Sequence, residues 1–346
     1  MDYSDGKQVA RLMPKVRLAN GLLMPQLGFG TSSLDEHQVD AADAYAALRH
    51  ALHCGYRLVD TAALYQNEQL VGRALADALA EEEAKVEEES LRLRRDDLFV
   101  CTKLWNSAHK FHSVEVALRE SLARLQMDYV DLYLIHWPMA YEERSWGAAD
   151  WINPRSPAGG QKVLYSDTHF LETWRAMEHC LEAGLARSIG LSNFNEQQCA
   201  QVLRASKHKP VVNQVEAHPY LGQESLLQFC KLNSIALQAY CPLGAPGASW
   251  APPGAPRLLD DPLIARKLAP KHARSPAQIV LRHHLQRGLV PLPKSITKAR
   301  IEQNLRVLDF ELEPSEMEAL GGLERQLRYC TNTAGEYVTD HPLYPF

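Results

Sequence analysis

The sequence predicts an α/β fold, a closed barrel of eight parallel strands with helices between them, on three observations. Eight short apolar runs, LGFG, YRLVD, DLFVCTK, YVDLYLIH, RSIGLS, VVNQVE, IALQAY and LVPLPK, recur along 346 residues. Helical patterns fill the intervals, and strands that alternate with helices make a parallel sheet, because parallel neighbours need a long crossover. No Pro/Gly/Ser-rich linker divides the chain, and a (β/α)8 TIM barrel accommodates this length as one unit, so residues 1–346 are expected to form a single barrel domain.

Taken in order, residues 1–14 mix Asp2, Asp5, Lys7 and Arg11 without an apolar core of secretory length, and are expected to be flexible and not an export signal. The segment KVRLANGLLMP then sets Asn20-Gly21 between two apolar stretches, which predicts a β-hairpin capping the barrel. After His112, the residues Val114, Ala117, Leu118, Ser121, Leu122 and Leu125 follow helical spacing and predict one apolar face against the barrel. Residues 81–95, EEEAKVEEESLRLRR, read as a charged helical extension of the second helix. Residues 138–168 and 244–259 are long irregular loops after the fourth and seventh strands, and residues 327–346 form an aromatic, Pro-rich tail. Long loops at the C-terminal rim of a barrel shape ligand pockets.

Composition excludes several classes. With 46% apolar residues the chain can bury a large core, and no run approaches the roughly 18 apolar residues of a membrane helix. A formal charge of −5 argues against a nucleic-acid surface. Seven scattered cysteines without a CxxC pair read as reduced thiols in the cytoplasm. The 14 histidines form no HExxH-like array, so no metal is expected.

Chemistry concentrates in four residues. Asp60, Lys103 and His136 each end an apolar run, and Tyr65 lies five residues past the first. A parallel barrel brings all four to one rim, where a phenol, an ammonium, a carboxylate and an imidazole can move a proton to a carbonyl oxygen without a metal. An ordinary phenol has a pKa of about 10. A neighbouring Lys103 cation is expected to lower that of Tyr65, with Asp60 keeping the cation paired and His136 orienting the carbonyl.

The strings that carry these residues, GFGTS at 28–32, DTAALYQNE at 60–68, KLWNS at 103–107, DLYLIHWP at 131–138, GLSNF at 190–194, NQVEAHPYL at 213–221, YCPLG at 240–244 and PKSITKARIEQN at 293–304, occur in one fixed order. Together they resemble the aldo-keto reductases, most closely the aldehyde and aldose reductase branch, from about Val16 to the C-terminus. The resemblance implies the same roles for the tetrad and an extended NADPH (NADP+) across the barrel mouth. It places Gly30, Thr31, Ser32 and Asp60 beside the cofactor, Ser192, Asn193 and Gln214 at the carboxamide, and Tyr240, in the string that continues through Cys241, Pro242 and Leu243, against the nicotinamide ring. Lys294, Ser295 and Arg300, after the eighth strand, are suited to a 2′-phosphate, since Arg presents a planar fork and Lys a point charge. Gln303 and Asn304 fall to the adenine by the same analogy, with Gln303 where relatives have an acid. GFGTSS is not a Rossmann fingerprint, because Ser33 holds the third glycine position and no acidic residue follows at the right distance.

Tyr65, His136, Trp105, Trp137 and Cys330 are expected to line the substrate pocket. Ser32 stands where that group often has a tryptophan, which predicts a less aromatic wall on that side. The reading is a monomeric NADPH-dependent reductase of aldehydes, with some ketones and aldose sugars within its range. The alternative is a catalytically weak barrel that keeps the nucleotide site as a regulatory or structural subunit.

Overall fold

The computed structural model describes residues 5–32, 39–85, 93–155, 162–245, 247–248, 251–331 and 338–346. In chain order the elements are α1 (Gly6–Leu12), β1 (Lys15–Arg17), β2 (Leu23–Pro25), β3 (Gly28–Gly30), α2 (Ala41–Cys54), β4 (Leu58–Asp60) and α3 (Glu68–Lys85). Then follow β5 (Phe99–Leu104), α4 (Phe111–Leu125), β6 (Leu132–Ile135), α5 (Phe170–Glu182), β7 (Ile189–Ser192), α6 (Glu196–Ala205), β8 (Val212–Glu216) and α7 (Glu224–Leu232). The chain continues through β9 (Ala236–Tyr240), a π-helical turn at Leu263–Leu268 running into α8 (Ala269–His272), α9 (Pro276–Arg287), β10 (Val290–Pro291), α10 (Lys298–Leu305) and α11 (Pro314–Gly321).

Strands β3 to β10 lie side by side in sequence order, and every pair is parallel. At the seam, Gly30 N donates to Pro293 O at 3.0 Å, which brings the first and last strands together. That approach needs glycine: a Cβ on Gly28 would stand 2.6 Å from Leu292 Cδ2. The expected eight-stranded (β/α)8 barrel is therefore the fold.

Period-two alternation sorts the strand residues. Leu58, Cys101, Leu132, Leu134, Val212, Val290 and Leu292 pack in one interior cluster, while Val59, Val100, Tyr133, Ile135 and Leu191 pack outward with the helices. On α4, Val114, Leu118, Ser121, Leu122 and Leu125 of the predicted face are buried, and Ala117 is half-buried at its edge.

The hairpin β1–β2 pairs antiparallel, and its Leu18 and Met24 enter the interior cluster, so it closes the end of the barrel away from the strand C-termini. The turn is a wider loop than a two-residue connection: Gly21 N donates to Leu18 O, and Gly21 alone is left-handed, at φ 89°. Asn20 instead donates to Arg187 O and Ser188 Oγ, fastening the hairpin to the barrel floor.

Residues 1–14, expected to be flexible, contain helix α1, whose Val9 is fully buried. Asp5 caps it by accepting from Lys7 N. Gly6 lets it dock, since a Cβ there would sit 1.8 Å from His53 O, and a Cβ on Gly55, which is left-handed at φ 112°, would sit 2.5 Å from Gly6 O. Of the charged extension, α3 accounts for the part up to Lys85, and residues 86–92 lie outside the described residues. Ser33 lies outside them too, as do 156–161, 246, 249–250 and 332–337 of the predicted loops and tail. No helix among the described residues is long and apolar enough to cross a membrane.

Candidate active site

The tetrad residues come from consecutive strands. Asp60 ends β4, Lys103 is the penultimate residue of β5, and His136 follows β6, all inward by the same alternation; Tyr65 ends a short 3-10 turn, Ala63–Tyr65, after β4. The Lys103 side chain is fully buried and donates all three of its protons: to Asp60 Oδ2 at 2.7 Å, to Thr61 O at 2.9 Å and to the Tyr65 hydroxyl oxygen at 3.1 Å. Each N–H thus has an acceptor, which a buried ammonium requires. Because the Tyr65 oxygen accepts from Lys103, its own hydrogen is left for another acceptor. The His136 ring lies edge-on to Tyr65 at 5.9 Å and to Trp105 at 5.4 Å between centroids.

The electrostatics correct one expectation. The Tyr65 phenol is pushed up, above its usual range, because burial outweighs the downward pull of Lys103. At neutral pH it therefore keeps its proton, which a proton donor must do. Lys103 favours the phenolate and so keeps the phenol less raised than burial alone would leave it. For Lys103, burial pulls downward, but Asp60 and the tyrosine and thiol beside it together raise it, so it stays charged. Burial, then Lys103, hold the His136 imidazole well below its usual range, so it is a neutral hydrogen-bonding group.

The expected carboxamide trio is only partly available. Gln214 Nε2 donates to both Asp60 Oδ1 and Gln238 Oε1 at 2.8 Å, leaving its Oε1 as the group it can offer. Asn193, left-handed at φ 60°, donates to His136 O at 3.0 Å and Ser192 Oγ at 3.3 Å and accepts from Tyr240 OH at 2.9 Å. Its amide orients the site. Thr31 is buried with its hydroxyl on Asp60 O at 3.0 Å, and Ser32 is exposed. Cys241 is left-handed at φ 47°, Pro242 O accepts from His284 at 3.2 Å, and Leu243 packs partly buried.

Lys294 and Arg300 are exposed and Ser295 half-buried, around the start of α10. Thr297 makes no side-chain cap, and Arg300 N donates to Thr297 O at 3.0 Å, so the N–H groups of Lys298 and Ala299 are the ones left for a ligand or solvent. An exposed guanidinium and ammonium beside an uncapped helix start suit a phosphate. Gln303 is exposed and Asn304 buried, so they face different surroundings.

Trp105 and Trp137 are buried in an apolar cluster with Met139, Tyr141 and Trp151, against which Cys330 packs. Trp105 donates to Ile152 O at 2.8 Å. Burial pushes the Cys330 thiol up to about 12, so it stays a protonated thiol at neutral pH. The sequence reading missed three groups: Gln238, which holds Gln214; Glu216, which holds the tail; and Trp151 in the long loop. Period two was the available signal for the first two, since Gln214 and Glu216, and likewise Gln238 and Tyr240, share a face.

The family profile described as the aldo/keto reductase family matches residues 26–325. Barrel, rim and profile together place the chain in the aldo/keto reductase family, and it is an oxidoreductase of that type. Among its relatives, aldo-keto reductase family 1 member A1-A of Danio rerio is 43% identical over 96% of this chain and 98% of its own length. Aldo-keto reductase family 1 member A1 of Gallus gallus is 43% identical over 96% and 97%, and that of Homo sapiens 41% identical over 96% and 97%.

Proposed function

We propose that the protein reduces aldehydes, with some ketones and aldose sugars, to alcohols, using NADPH and Tyr65 as the proton donor. The observation that supports this most directly is the Lys103 donation to the Tyr65 oxygen, which leaves the phenolic hydrogen available to another acceptor. When bound, the nicotinamide supplies the hydride to the carbonyl carbon. The carbonyl oxygen takes the Tyr65 proton as negative charge builds on it, and Lys103 stabilises the resulting phenolate while Asp60 keeps the ammonium in place. Neutral His136 donates a hydrogen bond that fixes the oxygen, and Trp105 and Trp137 exclude water.

Gln214 Oε1 would accept from the carboxamide, Tyr240 would offer an aromatic face to the nicotinamide, and Lys294, Ser295 and Arg300 would hold the 2′-phosphate. We read the protein as a monomer in the cytoplasm, which agrees with seven free cysteines. The test is NADPH oxidation with a simple aromatic aldehyde, alongside NADPH and NADH titrations of Arg300→Met. Turnover, and a loss of roughly ten-fold or more confined to NADPH, are expected, as for a lost hydrogen bond to a charged group. Binding without turnover would favour the regulatory reading, and equal loss for both cofactors would remove the 2′-phosphate assignment.

A further inference from the structure

Away from the rim, helices α2 and α10 bring together three side chains of metal-ligand type. His50 and Cys54 are four residues apart on α2, so they share one face. Glu302 reaches that face from α10. His50 Nε2 lies 2.9 Å from Glu302 Oε1 and 3.4 Å from Cys54 Sγ, and the three ligand atoms all fall within 4.8 Å of one another. It is the one such cluster among the described residues.

We propose that His50, Cys54 and Glu302 form a site for a borderline-soft divalent cation of the zinc type. Zinc takes thiolate sulfur at about 2.3 Å and imidazole nitrogen or carboxylate oxygen at about 2.0–2.2 Å. Tetrahedral ligands at those lengths stand about 3.3–3.6 Å apart, so the triad needs adjustments on the order of an ångström. All three residues are half-buried, which leaves an entry path and a fourth position for water. The mixed donors select against magnesium and calcium, which take oxygen ligands. Two features oppose the site and are accommodated. The Arg306 guanidinium sits 3.8 Å from Glu302, but on Oε2, leaving Oε1 to the ion. The thiol proton must leave as the ion binds.

An ion here would cross-link residues 252 positions apart and fasten α10, the helix that carries Arg300, Gln303 and Asn304, to α2, the first helix of the barrel. The proposal does not depend on the catalytic reading, and its test needs no turnover. The full chain, freed of metal, is titrated with Zn2+ against a chromophoric chelator, with His50→Ala, Cys54→Ser and Glu302→Gln beside it. One ion per chain is expected, with Mg2+ unable to compete and each variant weaker by roughly ten-fold or more, since even outer-shell losses cost that much. Co2+ in the site should show a thiolate charge-transfer band that Cys54→Ser abolishes. Unchanged melting of the metal-free variants shows that they fold. Zn2+ uptake equal in all variants, loss confined to Cys54→Ser, or no uptake by the wild type would each overturn the assignment.

Discussion

Two buried carboxylates, Asp60 and Glu216, occupy matching places at the C-terminal ends of β4 and β8, four strands apart around the barrel. Each is almost completely buried and each has both oxygens in contact with donors. Asp60 accepts from Lys103 and Gln214. Glu216 accepts from the backbone N–H of Tyr329 at 2.6 Å and of Cys330 at 2.9 Å, with His218 Nε2 3.0 Å away. The difference lies in the donors. Asp60 holds an ammonium that also donates to a phenol; Glu216 takes two backbone N–H groups, with the Arg328 guanidinium farther off at 3.8 Å, and so fastens the C-terminal segment. Both are carboxylates at strand ends, so the partners decide the role.

The comparison can be broken or sharpened by substitution. The largest effect is expected from Lys103→Met, which strands Asp60 as an uncompensated buried charge. It should cost about 3–5 kcal/mol of stability as well as activity, read by urea unfolding beside turnover. Unchanged stability would mean that Asp60 is not held by its ion pair. Next, Tyr65→Phe should lower kcat by about 10²–10⁴, the usual worth of a positioned acid, with NADPH affinity nearly intact. A variant keeping a tenth of wild-type kcat would contradict the assignment.

On the other pole, Glu216→Gln removes an acceptor from one backbone N–H and should cost roughly 1–3 kcal/mol. Amide exchange should quicken at Tyr329 and Cys330, and KM for bulky aldehydes should change more than kcat. Exchange unchanged at those two amides would show that the tail is fixed by its aromatic packing instead. The smallest effect per group concerns the buried histidines. His136 and His284 are held well below the usual range by burial, and His109 and His283 go to about 3 for the same reason. Below about pH 6.5 the unfolded chain takes up protons that the folded chain refuses, so stability falls as pH falls, by up to about 1.4 kcal/mol per pH unit for each histidine. Conversion of His136 to Asn should reduce the acid slope of stability by one proton, and an unchanged slope would place that imidazole in contact with water.

Much of this was legible because it is periodic. Apolar runs between helical stripes gave the eight barrel strands, and Asp60, Lys103 and His136 lie at strand ends where the alternation turns them inward. What periodicity could not show was occupancy. Asn193 and Gln214 read as free amides, yet one is bonded to His136, Ser192 and Tyr240 and the other to Asp60 and Gln238. The same gap hid α1, because a seven-residue helix is marginal alone and exists here through contacts with α2. The adjacent Tyr65 and Lys103 suggested an acidified phenol, whereas burial raises it.

The sequence by itself therefore determined the barrel, its family and the set of groups brought to the rim, since these follow from hydrophobic period and local motif. Only the tertiary structure decided which donors meet which acceptors, how far each group is removed from water, and that His50, Cys54 and Glu302 converge. Those depend on distances between residues far apart in the chain, and the energy of a buried charge or amide is set by its partner and its burial, not by its neighbours in sequence.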